Sequence, residues 1–199
     1  MARFAESFLP LISEDQEVGV ELATKTLHGF MNQYNRNWSK GMADKLGLTS
    51  LQVSETDEII SELLHLMESK EVDYTLCFSY LIDCATAVVE NSTVDDSSLL
   101  AIFQNSDDFS SWFEKWKALF SSQAELQSAL TAMRAVNPVY IPRNHKVEEA
   151  LAAAEDGDYQ PFEALLAIIT HPFDRKEGLE AYEHPAPLRL GRYQTFCGT

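Results

Sequence analysis

Apolar side chains return every three or four positions through most of the first 134 residues, the period of a helix that hides one side. Ser13-Glu14-Asp15-Gln16 has the form of a capping box and predicts a helix start. Val20, Ala23, Leu27, Phe30, Tyr34 and Trp38 follow it as one stripe expected to be buried. A second start is expected at Ser54 or Thr56, with Ile59, Ile60, Leu63, Leu64 and Met67 on one face. Asp73 can cap a third helix whose inward face is Leu76, Cys77, Tyr80, Leu81, Cys84 and Val88. Glu90 to Ser98 is polar and reads as a loop. Ser106-Asp107-Asp108 then opens a helix carrying Trp112, Phe113, Trp116, Leu119 and Phe120, and Ser122-Gln123-Ala124-Glu125 is a second capping box before a helix to about Arg134. Trp38, Trp112 and Trp116 are all expected in the core.

The pattern breaks at Asn137. In Asn137-Pro138-Val139-Tyr140-Ile141-Pro142-Arg143-Asn144 each proline removes a donor and pushes the residue before it toward extended backbone, so the segment is a connector. Asn144 is then placed to cap a helix through Ala154, Gly157 to close it, and Pro161 to begin another running to Thr170. Pro172, Pro185 and Pro187 leave little room for a long helix in the tail. No segment alternates in the manner of a strand, and the fold class is all-α. Residues 1–134 are expected to form an acidic helical bundle, and 135–199 a connector, a smaller helical pair and an irregular tail.

Charge narrows the function classes. The 199 residues hold 15 Lys and Arg against 31 Asp and Glu, a net charge of -16. Such a surface repels phosphate backbones and anionic lipid heads, so neither nucleic acid nor a membrane is an expected partner. The apolar runs are too short to cross a bilayer, Met1-Ala-Arg-Phe lacks the apolar block of a signal peptide, and a cytoplasmic location is expected. Residues 1–133 carry 21 acidic and 8 basic side chains, which assigns most of the acidity to the front helices.

The usual catalytic signatures are absent: no phosphate-cradling glycine loop, serine elbow or zinc-binding H-E-x-x-H occurs. No residue qualifies as catalytic, cofactor-binding or metal-ligating on spacing alone. Asp108-Phe109-Ser110 matches a kinase D-F-G in two letters and opens a helix instead. His145 with Glu148 and Glu149 has a spacing that suits a metal, but acidic residues also favour a helix start for dipole reasons. His171 and Asp174 form a similar pair, while His28, His65 and His184 are scattered. Of three cysteines, Cys77 and Cys84 share a helix face about 10 Å apart along it, too far for a disulfide, and read as buried apolar side chains. Cys197, third from the end, is the thiol expected to be accessible.

Several blocks resemble one family. Asn137-Pro138, Arg143-Asn144, Glu148-Glu149-Ala150-Leu151, Ala154-Glu155, Gly157-Asp158, Pro161-Phe162, Leu165-Leu166, Pro172, Tyr182, Pro185, Pro187 and Cys197 are similar to the C-terminal portion of the selenoprotein O (SelO, or YdiU) family. Phe4-Ala5-Glu6, Leu9-Pro10-Leu11-Ile12, Lys45-Leu46-Gly47-Leu48 and Val72-Asp73-Tyr74-Thr75 extend the resemblance to the front. It implies a protein adenylyltransferase that uses ATP and a divalent metal such as magnesium to place AMP on Ser, Thr or Tyr hydroxyls of protein substrates, with a kinase-like fold. The family's catalytic lysine, glutamate, asparagine and aspartates belong to a preceding kinase-like region without counterpart here, so no such residue carries over. On this resemblance the chain is a helical accessory or regulatory region that is inactive alone. Its partner is the kinase-like catalytic region, in the same or a companion chain, and Cys197 resembles the family's redox-regulatory tail cysteine. A free-standing acidic module that binds basic proteins is the alternative.

Overall fold

The computed structural model describes residues 2–49, 53–90, 97–104 and 106–186. Helices run in the order α1 (Ala2–Glu6), α2 (Leu9–Ile12), α3 (Gln16–Lys45), α4 (Val53–Ser69), α5 (Tyr74–Val89), α6 (Ser97–Ile102), α7 (Asp107–Ala118), α8 (Gln123–Val136), α9 (Asn144–Glu155), α10 (Gln160–Ile169) and α11 (Glu180–Glu183). Among the described residues there is no strand, and the protein is all-α.

The core forms where α4 packs against α3 and α7, and α5 against α6 and α8. Leu46, Leu48, Ile60, Leu63, Phe78, Leu81, Leu99, Phe103, Phe109, Trp112, Trp116, Leu130 and Met133 fill it. The two tryptophans of α7 do more than occupy volume. Trp112 Nε1 donates to the Ile59 carbonyl at 2.8 Å, and Trp116 Nε1 to the Leu46 carbonyl at 3.0 Å, so each buried indole satisfies its polar end while joining α7 to α4 and to the exit of α3. The turn at that exit depends on Gly47. Its φ is +71°, and an added Cβ would lie 2.7 Å from the Ala129 Cβ of α8, so any other residue meets both backbone strain and a clash.

The front stripe departs from expectation. Val20, Phe30, Tyr34 and Trp38 are exposed, Trp38 to 41%, and Ala23 and Leu27 are only half-buried. The buried positions of α3 are Gly19 and then Ser39, Met42 and Ala43 at its end. The physical reason is coverage. α1 and α2 fold back on α3, whereas α4 and α8 hold only its last turns, so the intervening helix leaves the bundle as an arm. Of the three tryptophans expected inside, two are sealed and Trp38 is not.

Capping also differs in detail. Asp15, not Ser13, caps α3 and accepts from the Glu17 and Val18 amides at 2.9 and 3.3 Å, because Ser13 already closes α2 and accepts from Asp15 N. Asp73 and Ser122 cap as expected, accepting from Leu76 N and Glu125 N. Part of the expected loop from Glu90 to Ser98 is the start of α6, and residues 91–96 lie outside the described residues.

Residues 137–143 form neither helix nor strand and bend at Asn137 and Val139, and the amides of Val139 and Tyr140 both donate to the Pro172 carbonyl, at 2.7 and 3.1 Å. Asn144 is already helical, and the capping position belongs to Arg143, whose side chain is engaged elsewhere. Gly157, at φ +87°, ends the helix as expected. Its amide and that of Asp158 return to the Ala154 and Ala153 carbonyls, and α10 then starts at Gln160 with Pro161 in its first turn.

Candidate functional site

The densest polar chemistry lies where the C-terminal third of the chain meets α5. Arg143 is 8% exposed, and its guanidinium grips Asp73 with both ends, Nη1 to Oδ2 at 2.6 Å and Nη2 to Oδ1 at 3.0 Å. Nη2 also donates to the Glu183 carbonyl at 2.6 Å, tying α11 to the start of α5. Arg175 makes a second tie further along α5, its Nη1 donating to both carboxylate oxygens of Asp83 at 2.8 Å and its Nη2 to Ser79 Oγ at 2.5 Å. Its Nη2 also lies 3.4 Å from the Glu183 carboxylate. Tyr140 joins in, its hydroxyl accepting from Lys176 N at 2.9 Å. The planar fork of arginine matches a carboxylate's two oxygens, which makes the Arg143–Asp73 pair directional as well as electrostatic.

Protonation follows from this geometry. Burial raises the Asp73 pKa, but the Arg143 hydrogen bonds and the amides of Leu76 and Thr75 outweigh it, and the carboxyl is held below its ordinary range. Glu183 moves the other way. Burial dominates, Arg175 and His184 only partly offset it, and the carboxyl is pushed up. Two carboxylates bound to one clasp therefore have opposed tendencies.

Beside the clasp is a cavity of about 240 Å³ whose wall includes Ser79, Asp83, Arg134, Asn137, Phe173 and Arg175. Asn137 Nδ2 donates to the Lys45 and Met133 carbonyls, both at 2.9 Å, so the connector is fastened to the ends of α3 and α8 as well. Arg134 Nη2 donates to Thr86 Oγ1 at 2.7 Å. The chemistry of this junction is that of an anchor: the contacts of Arg143, Arg175 and Asn137 join residues 137–183 to the bundle.

The residues singled out by spacing are not brought together. Cys77 and Cys84 are buried, and burial first, then Asp73, pushes the Cys77 thiol far above its ordinary range, so neither is a ready nucleophile. Glu149 pairs with Lys146 at 2.7 Å, and burial and then the Lys146 charge lower the His145 pKa. His171 Nδ1 lies near Thr170 Oγ1 and the Ala167 carbonyl. Among the described residues no group of three or more His, Cys, Asp or Glu side chains is arranged to hold a metal ion. Asp107 and Asp108 are exposed in the first turn of α7. Cys197 lies outside the described residues. Spacing missed the clasp altogether, since its partners are 70 and 92 residues apart in the chain. Among the described residues no helix is long and apolar enough to cross a membrane.

Comparison with known proteins gives the class. The family model described as protein adenylyltransferase SelO matches residues 1–170. The chain is 41% identical over 199 residues to the protein nucleotidyltransferase YdiU of Mycobacterium sp. (strain KMS), covering all of this chain and 38% of that one. It is 43% identical over 204 residues to the YdiU protein of Mycolicibacterium paratuberculosis, covering 39% of it, and 38% identical over 200 residues to that of Clostridium beijerinckii, covering 38%. The chain belongs to the SelO family of protein nucleotidyltransferases. It spans about two-fifths of the length of these curated relatives.

Proposed function

We propose that this chain is the helical region that supports the kinase-like catalytic region of a protein adenylyltransferase, an enzyme that moves AMP from ATP to protein hydroxyls. In this reading ATP and magnesium bind in that catalytic region, and the present residues orient it without touching the nucleotide. Support comes chiefly from the arm. Phe30, Tyr34 and Trp38 line an open groove of about 450 Å³ together with Gln33 and Asn37, and Val18, Leu22 and Met31 are also exposed on α3. The charges of α3 nearly cancel, with Glu17, Glu21 and Asp44 against Lys25, Arg36, Lys40 and Lys45. A large apolar face with little net charge suits a permanent interface with more of the same protein. The relatives' remaining three-fifths supply a partner of that kind. Cys197 would then act as a redox-sensitive thiol directed at that region.

The test is reconstitution. The chain is mixed with the separately expressed remainder of a mycobacterial relative, and co-elution and transfer of labelled AMP to protein are measured. The two should associate and gain transferase activity, whereas a Tyr34→Ser, Trp38→Ser chain should remain separate. The chain alone should give flat calorimetry with ATP and magnesium. A saturable signal at about micromolar ATP would overturn the reading.

A further inference from the structure

A second uncovered apolar face lies at the other end of the molecule, and its electrostatics differ from those of the arm. In the α9–α10 hairpin, Ala150, Leu165 and Ile168 are buried, while Leu151, Tyr159, Phe162 and Leu166 remain 49%, 61%, 46% and 46% exposed. Phe162 and Leu166 are one turn apart on α10, and Tyr159 leads into the same stripe. Leu151 is bracketed on its own face by Glu148 and Glu155, three residues before it and four after. Asp156 and Asp158 crowd the hairpin tip, and Glu163 flanks the α10 stripe. From 144 to 169 there are six carboxylates and one lysine, and that lysine, Lys146, is engaged with Glu149 and lies over the Tyr182 ring.

We propose that this hairpin is a docking surface for a basic amphipathic segment of a protein partner, with apolar residues at helical spacing seated on the Phe162–Leu166 stripe of α10 and Lys or Arg side chains facing the carboxylates of the hairpin. Charge complementarity selects this occupant. Six carboxylates against one engaged lysine around these apolar side chains favour a cationic partner over a neutral or acidic one. The surface is independent of nucleotide chemistry, and its test does not depend on transferase activity.

The probe is a fluorescein-labelled peptide of about five helical turns with leucines on one face and lysines elsewhere, titrated into the 199-residue chain and followed by anisotropy. A peptide of the same composition with its leucines scattered is the reference. The amphipathic peptide should bind at least about tenfold more tightly than the scattered one, and binding should weaken with salt. Phe162→Ser with Leu166→Ser should remove that advantage. Glu155→Gln with Glu163→Gln should weaken binding several-fold and flatten its salt dependence. Tyr34→Ser with Trp38→Ser on the arm should leave it unchanged. Each variant changes exposed side chains, and far-ultraviolet circular dichroism verifies its helix content. Equal binding of the two peptides, retention of binding by the folded hairpin variant, or its loss in the arm variant overturns the proposal. So does sedimentation showing a dimer that Phe162→Ser dissolves, since the face would then belong to a second copy.

Discussion

Phe30, Tyr34 and Trp38 on α3 and Phe109, Trp112 and Trp116 on α7 both recur at one-turn spacing along a helix face, yet the first set faces solvent and the second is sealed. The difference lies in the neighbours. α7 is matched by α4, whose Ile59 carbonyl even receives an indole N–H, and by the exit of α3. Among the described residues the exposed stretch of α3 is packed chiefly by α1 and α2 before it reaches the bundle. Periodicity therefore reports that a face is apolar, while burial depends on whether something within the chain returns to cover it.

Paired tryptophan substitutions probe this contrast most directly. Trp116→Ala should cost about 3 to 5 kcal/mol in urea unfolding, the range for emptying a large core site, and Trp38→Ala less than about 1 kcal/mol. A comparable loss at Trp38 would mean that the arm has a covering in solution and that the contrast fails.

The clasp should rank next. Arg143→Met leaves Asp73 without its buried partner and should destabilise by about 3 kcal/mol, with Arg143→Lys recovering only part because a lysine cannot grip both oxygens. Losses confined to residues 137–183 in hydrogen exchange would show that the clasp holds that segment alone, and a global loss that it is part of the bundle.

Smaller effects come from pH. The Asp73 carboxyl is held down in the fold, so its contribution is present above its ordinary value of 3.8 and is lost as the pH falls through its folded value. Glu183, pushed up by burial, behaves oppositely. Its contribution is complete below its ordinary value of 4.5 and is lost as the pH rises from there through its folded value. Glu183→Gln should accordingly gain on the parent chain across that upper window in urea midpoints. A gap that does not vary with pH would place Glu183 in water. Least in energy but sharpest in readout, native alkylation should leave Cys77 and Cys84 unlabelled until unfolding and mark Cys197 first.

Much of this molecule was legible in its residues. The helix that Asp73 caps, the two sealed tryptophans, the break in helix at the connector and the glycine closing α9 all rest on local rules, and local rules need only neighbouring residues. The clasp was not legible, because an arginine 70 residues from its aspartate leaves no trace in any window of sequence. The arm failed for a related reason, since no pattern within a helix records what lies beyond it. Within the acidic front, α3 is close to neutral and the largest excess lies in α4.

Gly47 gives the arm a mechanical meaning. With Gly47 packed against Ala129 and the Trp116 indole fastened to the adjoining Leu46 carbonyl, the last turns of α3 are clamped to the bundle. From Ser39 back to Gln16 the helix extends about 35 Å at its usual rise of 1.5 Å per residue. It is thus a lever with its fulcrum near Ser39, where the buried turns begin, and a tilt of about 5° there carries the far end about 3 Å, roughly the length of one hydrogen bond.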